Sequence, residues 1–137
     1  MNQYRFDDIV LGMAHSFDVV ITEEMIENFI NITNDTNPLH SNDSYAKDKG
    51  FAGRVAFGML VASFYSTLAG VYIPGKFSLL HGIDISFNSP VYISDKLTIF
   101  GEVAYMNELY QQIEIKAYIT RNKKKISKAK IKVGFHE

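Results

Sequence analysis

The segment Asn34-Asp35-Thr36-Asn37-Pro38-Leu39-His40 places a carboxylate, side-chain amides and an imidazole within seven residues of chain. A carboxylate can take a proton from water, and an imidazole, which ordinarily titrates near neutrality, can hold or return one. The spacing lets Asp35 and His40 converge on a single water, and acid–base chemistry of this kind requires no metal. The same residue types also build ordinary turns, in which Asp35 caps the chain and His40 is a surface histidine. The elements around them decide between the two.

Upstream, Thr22 followed by Glu23 and Glu24 offers a capping hydroxyl and two acids in a first helical turn. Met25, Ile26, Phe29, Ile30 and Ile32 then recur with helical spacing, which predicts an amphipathic helix from Thr22 to about Thr33. Asn34 to Asn37 supply turn-forming side chains, and Pro38 biases Asn37 away from helical dihedrals, so Asp35 and His40 are expected on an irregular loop. A short helix is expected from Ser44 to Lys49, ended by Gly50, and a link through Gly53 leads into a long apolar helix around Ala56 to Leu68.

Beyond Pro74-Gly75 the period changes to two. Ile83, Ile85 and Phe87 form one alternating set; Leu97, Ile99 and Val103 a second; Ile113, Ile115, Ala117 and Ile119 a third; Ala129, Ile131, Val133 and Phe135 a fourth. A further strand is expected near His15 to Ile21. Breaks at Ser89-Pro90 with Ser94-Asp95, at Asn107-Glu108 and at Asn122 predict antiparallel pairing of consecutive strands through short connections. Helices followed by a run of strands indicate an α+β domain, a curved antiparallel sheet laid over the apolar helix.

At 137 residues, 47% hydrophobic and 21% charged, the chain is expected to form one domain, residues 1–137, with its own core. A net charge of -1 builds in no bulk attraction to nucleic acid or anionic membrane, so neither is expected as a partner. The chain holds no cysteine, and its first residues lack the basic-then-apolar order of a secretory signal; both point to the cytosol. The uncharged run from Val55 to Gly75 is long enough to consider as a membrane span. Gly58, Ser63, Ser66, Thr67 and Gly70 dilute it and Pro74 breaks it, which suits a helix covered by protein.

Asp35-Thr36-Asn37-Pro38-Leu39-His40, followed by Phe57-Gly58-Met59-Leu60, resembles the MaoC-like hydratases, the family of (R)-specific enoyl-CoA hydratases. The likeness extends through Ser63 and Ser66, the Pro74-Gly75 turn and the segment from Phe87 to Asp95. It implies a hot-dog fold, in which the sheet wraps a long central helix. It also implies a homodimer and interconversion of trans-2-enoyl and (R)-3-hydroxyacyl thioesters, carried on CoA or acyl carrier protein, without metal or redox cofactor.

On this resemblance, Asp35 is the water-activating carboxylate, His40 shares the water and the proton transfer, and Asn37 and Pro38 shape their loop. The Gly58 backbone N–H polarises the thioester carbonyl, where addition of water develops negative charge. Ser66 corresponds to a serine that orients the aspartate, and Ser63 lies about one turn earlier. The chain departs from the pattern at Phe57, where the family commonly has histidine. A backbone donor survives that change, whereas polar contacts of the missing side chain do not.

Two rivals remain open at this level: a hot-dog thioesterase that aims water at the carbonyl carbon, and a non-catalytic module that binds acyl thioesters or their carrier protein. His15, His81 and His136 lack the spacing of a helical metal site. Arg121, Lys123, Lys124 and Lys125, followed by Lys128, Lys130 and Lys132, read as a solvated strand face or as a phosphate-binding cluster.

Overall fold

The structure, a computed structural model, describes residues 1–137. Strand β1 (Ala14–Val20) leads into helix α1 (Glu23–Thr33). The hydroxyl of Thr22 accepts from Met25 N at 3.1 Å and starts α1, as the sequence predicts, and Asn34, with φ 58°, ends it.

The next segment is only half irregular. Asn37 does leave the helical region, but Pro38 opens a one-turn helix, α2 (Pro38–Ser41), which carries His40. Proline's fixed φ suits a first helical position, and Asn37 Oδ1 caps the turn by accepting from Leu39 N at 3.0 Å. Asn42 caps α3 (Asp43–Asp48), which begins one residue before the predicted start.

The central helix α4 (Gly58–Thr67) is shorter at its start than predicted because the amide of Ala56 bonds outward to Val91 O, at 2.7 Å. Its far end runs into a π turn, Leu68–Tyr72. Leu60, Val61, Tyr65 and Leu68 are buried, while Met59, Ser63 and Ser66 form one exposed stripe. The chain therefore leaves one side of its apolar helix uncovered. No helix is long and apolar enough to cross a membrane.

Four further strands, β2 (Ser78–Phe87), β3 (Lys96–Asn107), β4 (Gln112–Arg121) and β5 (Lys124–Phe135), join β1 in one antiparallel sheet of order β1-β3-β4-β5-β2. The three later strands form the expected meander. The first does not join it as expected: β2 pairs with β5, and β3 pairs with β1. The connection from Asn88 to Asp95 crosses instead of turning back, and it is pinned to the chain ahead of α4 by the bond to Val91 O and a bridge between Val55 and Tyr92.

Inward residues of β3, β4 and β5, including Ile99, Ile115, Ile119 and Ile131, share one buried cluster with α4. Each such side chain contributes on the order of 1.5–3 kcal/mol by leaving water. The result is the sheet wrapped around a helix that the hot-dog resemblance implies.

A polar chain crosses this interior. Tyr65 OH donates to Ser127 Oγ at 2.9 Å, and Ser127 Oγ donates to Ser86 O at 2.8 Å, tying α4 to β5 and β2. Ser127→Ala strands the Tyr65 hydroxyl and is expected to cost about 1–3 kcal/mol in urea unfolding, while Tyr65→Phe together with Ser127→Ala costs less than the sum of the two single changes. Burial pushes the Tyr65 phenol up to about 12. Its neutral form is favoured in the fold, so this contribution is whole below about pH 10 and is lost as pH rises toward 12. Tyr65→Phe should flatten that part of the stability profile.

Candidate active site

The chain ahead of α4 acts as a strap on which the Asp35–His40 segment is mounted. Val55 N donates to Leu39 O at 3.1 Å, and His40 Nδ1 lies 2.6 Å from Val55 O. A carbonyl oxygen only accepts, so Nδ1 carries the proton and Nε2 is the ring nitrogen left to exchange one. Asp35 Oδ1 accepts from Asn37 N at 3.1 Å, and Asp35 N donates to Thr33 Oγ1 at 3.2 Å. These short-range bonds hold the carboxylate over the end of α1 while leaving it exposed.

Gly58 is the first residue of α4, and its amide has no acceptor within the chain. It is one of the orphan donors at a helix start, where the helix dipole also favours negative charge. The side-chain position that Gly58 lacks lies 3.4 Å from the Phe87 ring, so a glycine keeps the passage beside Phe87 open.

Two hollows meet there. One, of about 350 Å³, is lined by Phe29, Thr33, Asp35, His40, Met59 and Phe87 among others. The second, of about 410 Å³, shares His40, Gly58 and Phe87 and continues along Phe51, Pro90, Val91 and Ile126. An acid, an imidazole and a free backbone donor thus face a groove whose remaining walls are largely apolar, the usual composition of a small-molecule site. No three His, Asp or Glu side chains come together anywhere in the chain in a group that could hold a metal ion.

Asp35, His40 and Gly58 are brought together, with Asn37 and Pro38 forming the turn between the first two. Ser63 and Ser66 stand apart on the exposed stripe of α4. Ser63 Oγ donates to Leu60 O at 2.6 Å, and neither serine bonds Asp35. Phe57 is buried, its ring 4.1 Å from that of His40 and 4.9 Å from that of Phe29. It backs the imidazole by packing and lines the smaller hollow.

Arg54 was not singled out by the sequence reading. Its Nε donates to His40 O at 2.8 Å, and its guanidinium pairs with Glu27 and, at 3.4 Å, with Glu23. Only 11% of the side chain is exposed, so one cation clamps the His40 backbone to α1. The available signal was a pair of acids four apart on one face of the α1 pattern, with a lone cation ahead of the apolar helix.

An antiparallel sheet closed over one helix, with an acid and an imidazole facing that helix's first amide, defines a hot-dog domain with an acid–base site. The chain belongs to the MaoC-like domain family, whose model matches residues 5–128. It is 38% identical over 95 residues to an (R)-specific enoyl-CoA hydratase of Rhodospirillum rubrum, covering 69% of this chain and 66% of that protein. It is also 38% identical to an (R)-specific enoyl-CoA hydratase of Aeromonas caviae, over 80 residues, 58% of this chain and 60% of that one. The matched region spans slightly less than two thirds of these relatives.

Among solved structures, the (R)-hydratase from A. caviae superposes with a TM-score of 0.89 at 26% identity, covering 93% of this chain and 98% of that one. An R-hydratase from Pseudomonas aeruginosa gives 0.89 at 22% identity, covering 96% and 85% respectively.

Replacing Arg54 by methionine removes the clamp while keeping much of the apolar stem. The expected result is a loss of about 1–3 kcal/mol in denaturant unfolding, with faster amide exchange at Val55 and His40. Lysine should not restore either, because it lacks the planar fork that reaches His40 O and Glu27 together.

Proposed function

We propose that the chain is a hydro-lyase that interconverts trans-2-enoyl thioesters and (R)-3-hydroxyacyl thioesters, with residues 1–137 acting as one catalytic domain. The observation that carries this reading is the opposition of Asp35 and His40 to the unpaired Gly58 amide, across a hollow continuous with an apolar groove. The relatives named above support the choice of reaction.

In the hydration direction, Asp35 takes a proton from water as the water oxygen bonds to the β-carbon. The alkene electron pair moves onto the carbonyl oxygen, where Gly58 N–H stabilises it. The proton held by Asp35 passes to the free Nε2 of His40, and when the electron pair returns the α-carbon takes that proton from Nε2, leaving Asp35 ionised and His40 neutral as they began. Dehydration is the reverse. Val55 O holds His40 Nδ1–H throughout, so Nε2 is the atom that works.

The proposal includes a homodimer built on the free edge of β2. This strand bonds only to β5, and Leu79, Leu80, Ile83 and Phe87 on it are exposed. A ten-residue edge of this kind invites another strand. Phe87 and Met59 line the same hollow, so a partner at β2 would also cover the open stripe of α4, including Ser63 and Ser66, and enclose Asp35. A cytosolic site of action belongs to the same reading and rests on composition alone.

With crotonyl-CoA, the wild-type chain is expected to remove the conjugated double bond and yield the (R)-3-hydroxy product. Asp35→Asn and His40→Ala should each lower kcat by about 10²- to 10⁴-fold. Release of free thiol without hydroxyacyl product would assign the site to a thioesterase instead. In sedimentation, Ile83→Lys, which puts a charge in the edge strand, should shift the dimer to monomer and reduce turnover with it.

A further inference from the structure

The groove that starts at His40 and Gly58 has a far end, and the basic β4–β5 hairpin stands beside it. Its wall runs from Phe87 through Asn88 and Ser89 to Pro90 and reaches Ile126 on β5. Three residues of chain cover at most roughly 10 Å, shorter than a pantetheine arm. At Pro90 the groove meets the β4–β5 hairpin: Arg121 Nη1 donates to Pro90 O at 2.8 Å and pairs with Asp95 at 2.7 Å, while Asn88 N bonds Ile126 O.

Arg121 is therefore committed, but the amines beside it are not. Asn122 and Lys123, with φ 51° and 65°, make a two-residue turn that projects Lys123 at its tip. Lys124 pairs in register with Arg121 and so shares the face that meets Pro90; Lys125 pairs with Thr120 and points to the other face. All three lysines are exposed, and none has an acid within ion-pair distance.

Lys125 also leads to a second cavity. Its Nζ lies 4.4 Å from the centre of the Tyr118 ring, and both border a hollow of about 420 Å³ on the outer face of the sheet. Lys128, in register with Tyr118, lines that hollow too, as do Lys116 and Lys130 further along the strands, with Asp84 and with Glu114, which pairs with Lys130. A volume of that order has room for a nucleoside.

We propose that this hairpin is a phosphate site for the nucleotide end of a CoA thioester. Lys123, Lys124 and Lys125 hold the phosphates, and the Tyr118 hollow receives the adenosine. The assignment rests on the hydratase reading for its acyl end and goes beyond it by naming CoA as the carrier. Three adjacent uncompensated amines repel one another, and a polyphosphate placed among them relieves that repulsion while forming charge-assisted hydrogen bonds.

The test compares wild type with the triple variant Lys123→Ala, Lys124→Ala, Lys125→Ala by calorimetry, using free CoA and phosphate-free pantetheine. Wild type should bind CoA on the order of tenfold or more tightly than pantetheine, with an affinity that falls as salt is raised, and the triple variant should lose that advantage. The ratio of kcat/KM for crotonyl-CoA to that for crotonyl-pantetheine should fall by a similar factor.

Unchanged CoA affinity in the variant, parallel losses for CoA and pantetheine, or no CoA binding by wild type would each overturn the site. So would a loss of turnover confined to a crotonyl group delivered on acyl carrier protein. If wild type binds CoA through these lysines but hydrates neither thioester, the hydratase reading fails and the phosphate site stands.

Discussion

The extended strap from Arg54 to Phe57 is the constraint on which the rest of the site depends. Its Val55 amide and carbonyl hold Leu39 and the His40 ring; its Ala56 amide holds the crossing connection at Val91; its Arg54 side chain ties His40 O to α1. The residue that follows it begins α4. The histidine, the first free amide of the central helix and the groove wall are therefore positioned by one short run of backbone. Hydrogen bonds of this sort are each worth only about 1 kcal/mol net, but leaving any of them unmade in a half-buried place costs more than making it gains. That asymmetry gives the strap one arrangement.

Local chemistry made much of this fold legible in the sequence. The Thr22 cap, the helical spacing of Ile26 and Phe29, and the alternation along β3 to β5 each follow from interactions a few residues apart or from a single buried face. What the pattern did not contain was the partner of β2. Ile83, Ile85 and Phe87 alternate like the core strands, yet their strand lies at the edge and its neighbour is the last strand, not the next. Alternation records that one face is apolar; it does not record what covers it, and here exposed residues share the pattern of buried ones. The short helix carrying His40 was missed for a different reason: Pro38 forbids helix behind it and favours helix ahead of it, and only the first effect was read.

The site divides in the same way. That Asp35, His40 and Gly58 meet at one hollow was legible because two lie in one motif and the third begins a conspicuous apolar helix. Arg54 could not be placed by such means, since its role depends on Glu27 and His40 O meeting it in space. Ser63 and Ser66 lie on the expected helix, and within one chain they face outward, on a stripe shared with Met59, which borders the same hollow as Phe87 of β2.

Phe57 can now be understood physically. A histidine buried there would require a hydrogen-bond partner for each ring nitrogen, and the neighbours offered are the rings of Phe29 and His40. Phenylalanine meets no such demand, and its ring packs on the imidazole whose Nδ1 is bonded to Val55 O, so packing and that bond together fix the ring. The Gly58 amide is insulated from the change because it is a main-chain group: any residue but proline at position 58 keeps the N–H, while only glycine keeps the space beside Phe87. Side-chain identity at the helix start therefore bears on the shape of the groove more than on the presence of a free N–H there, and under the proposed reading residue 57 can vary without dismantling the arrangement of Asp35 and His40 opposite it.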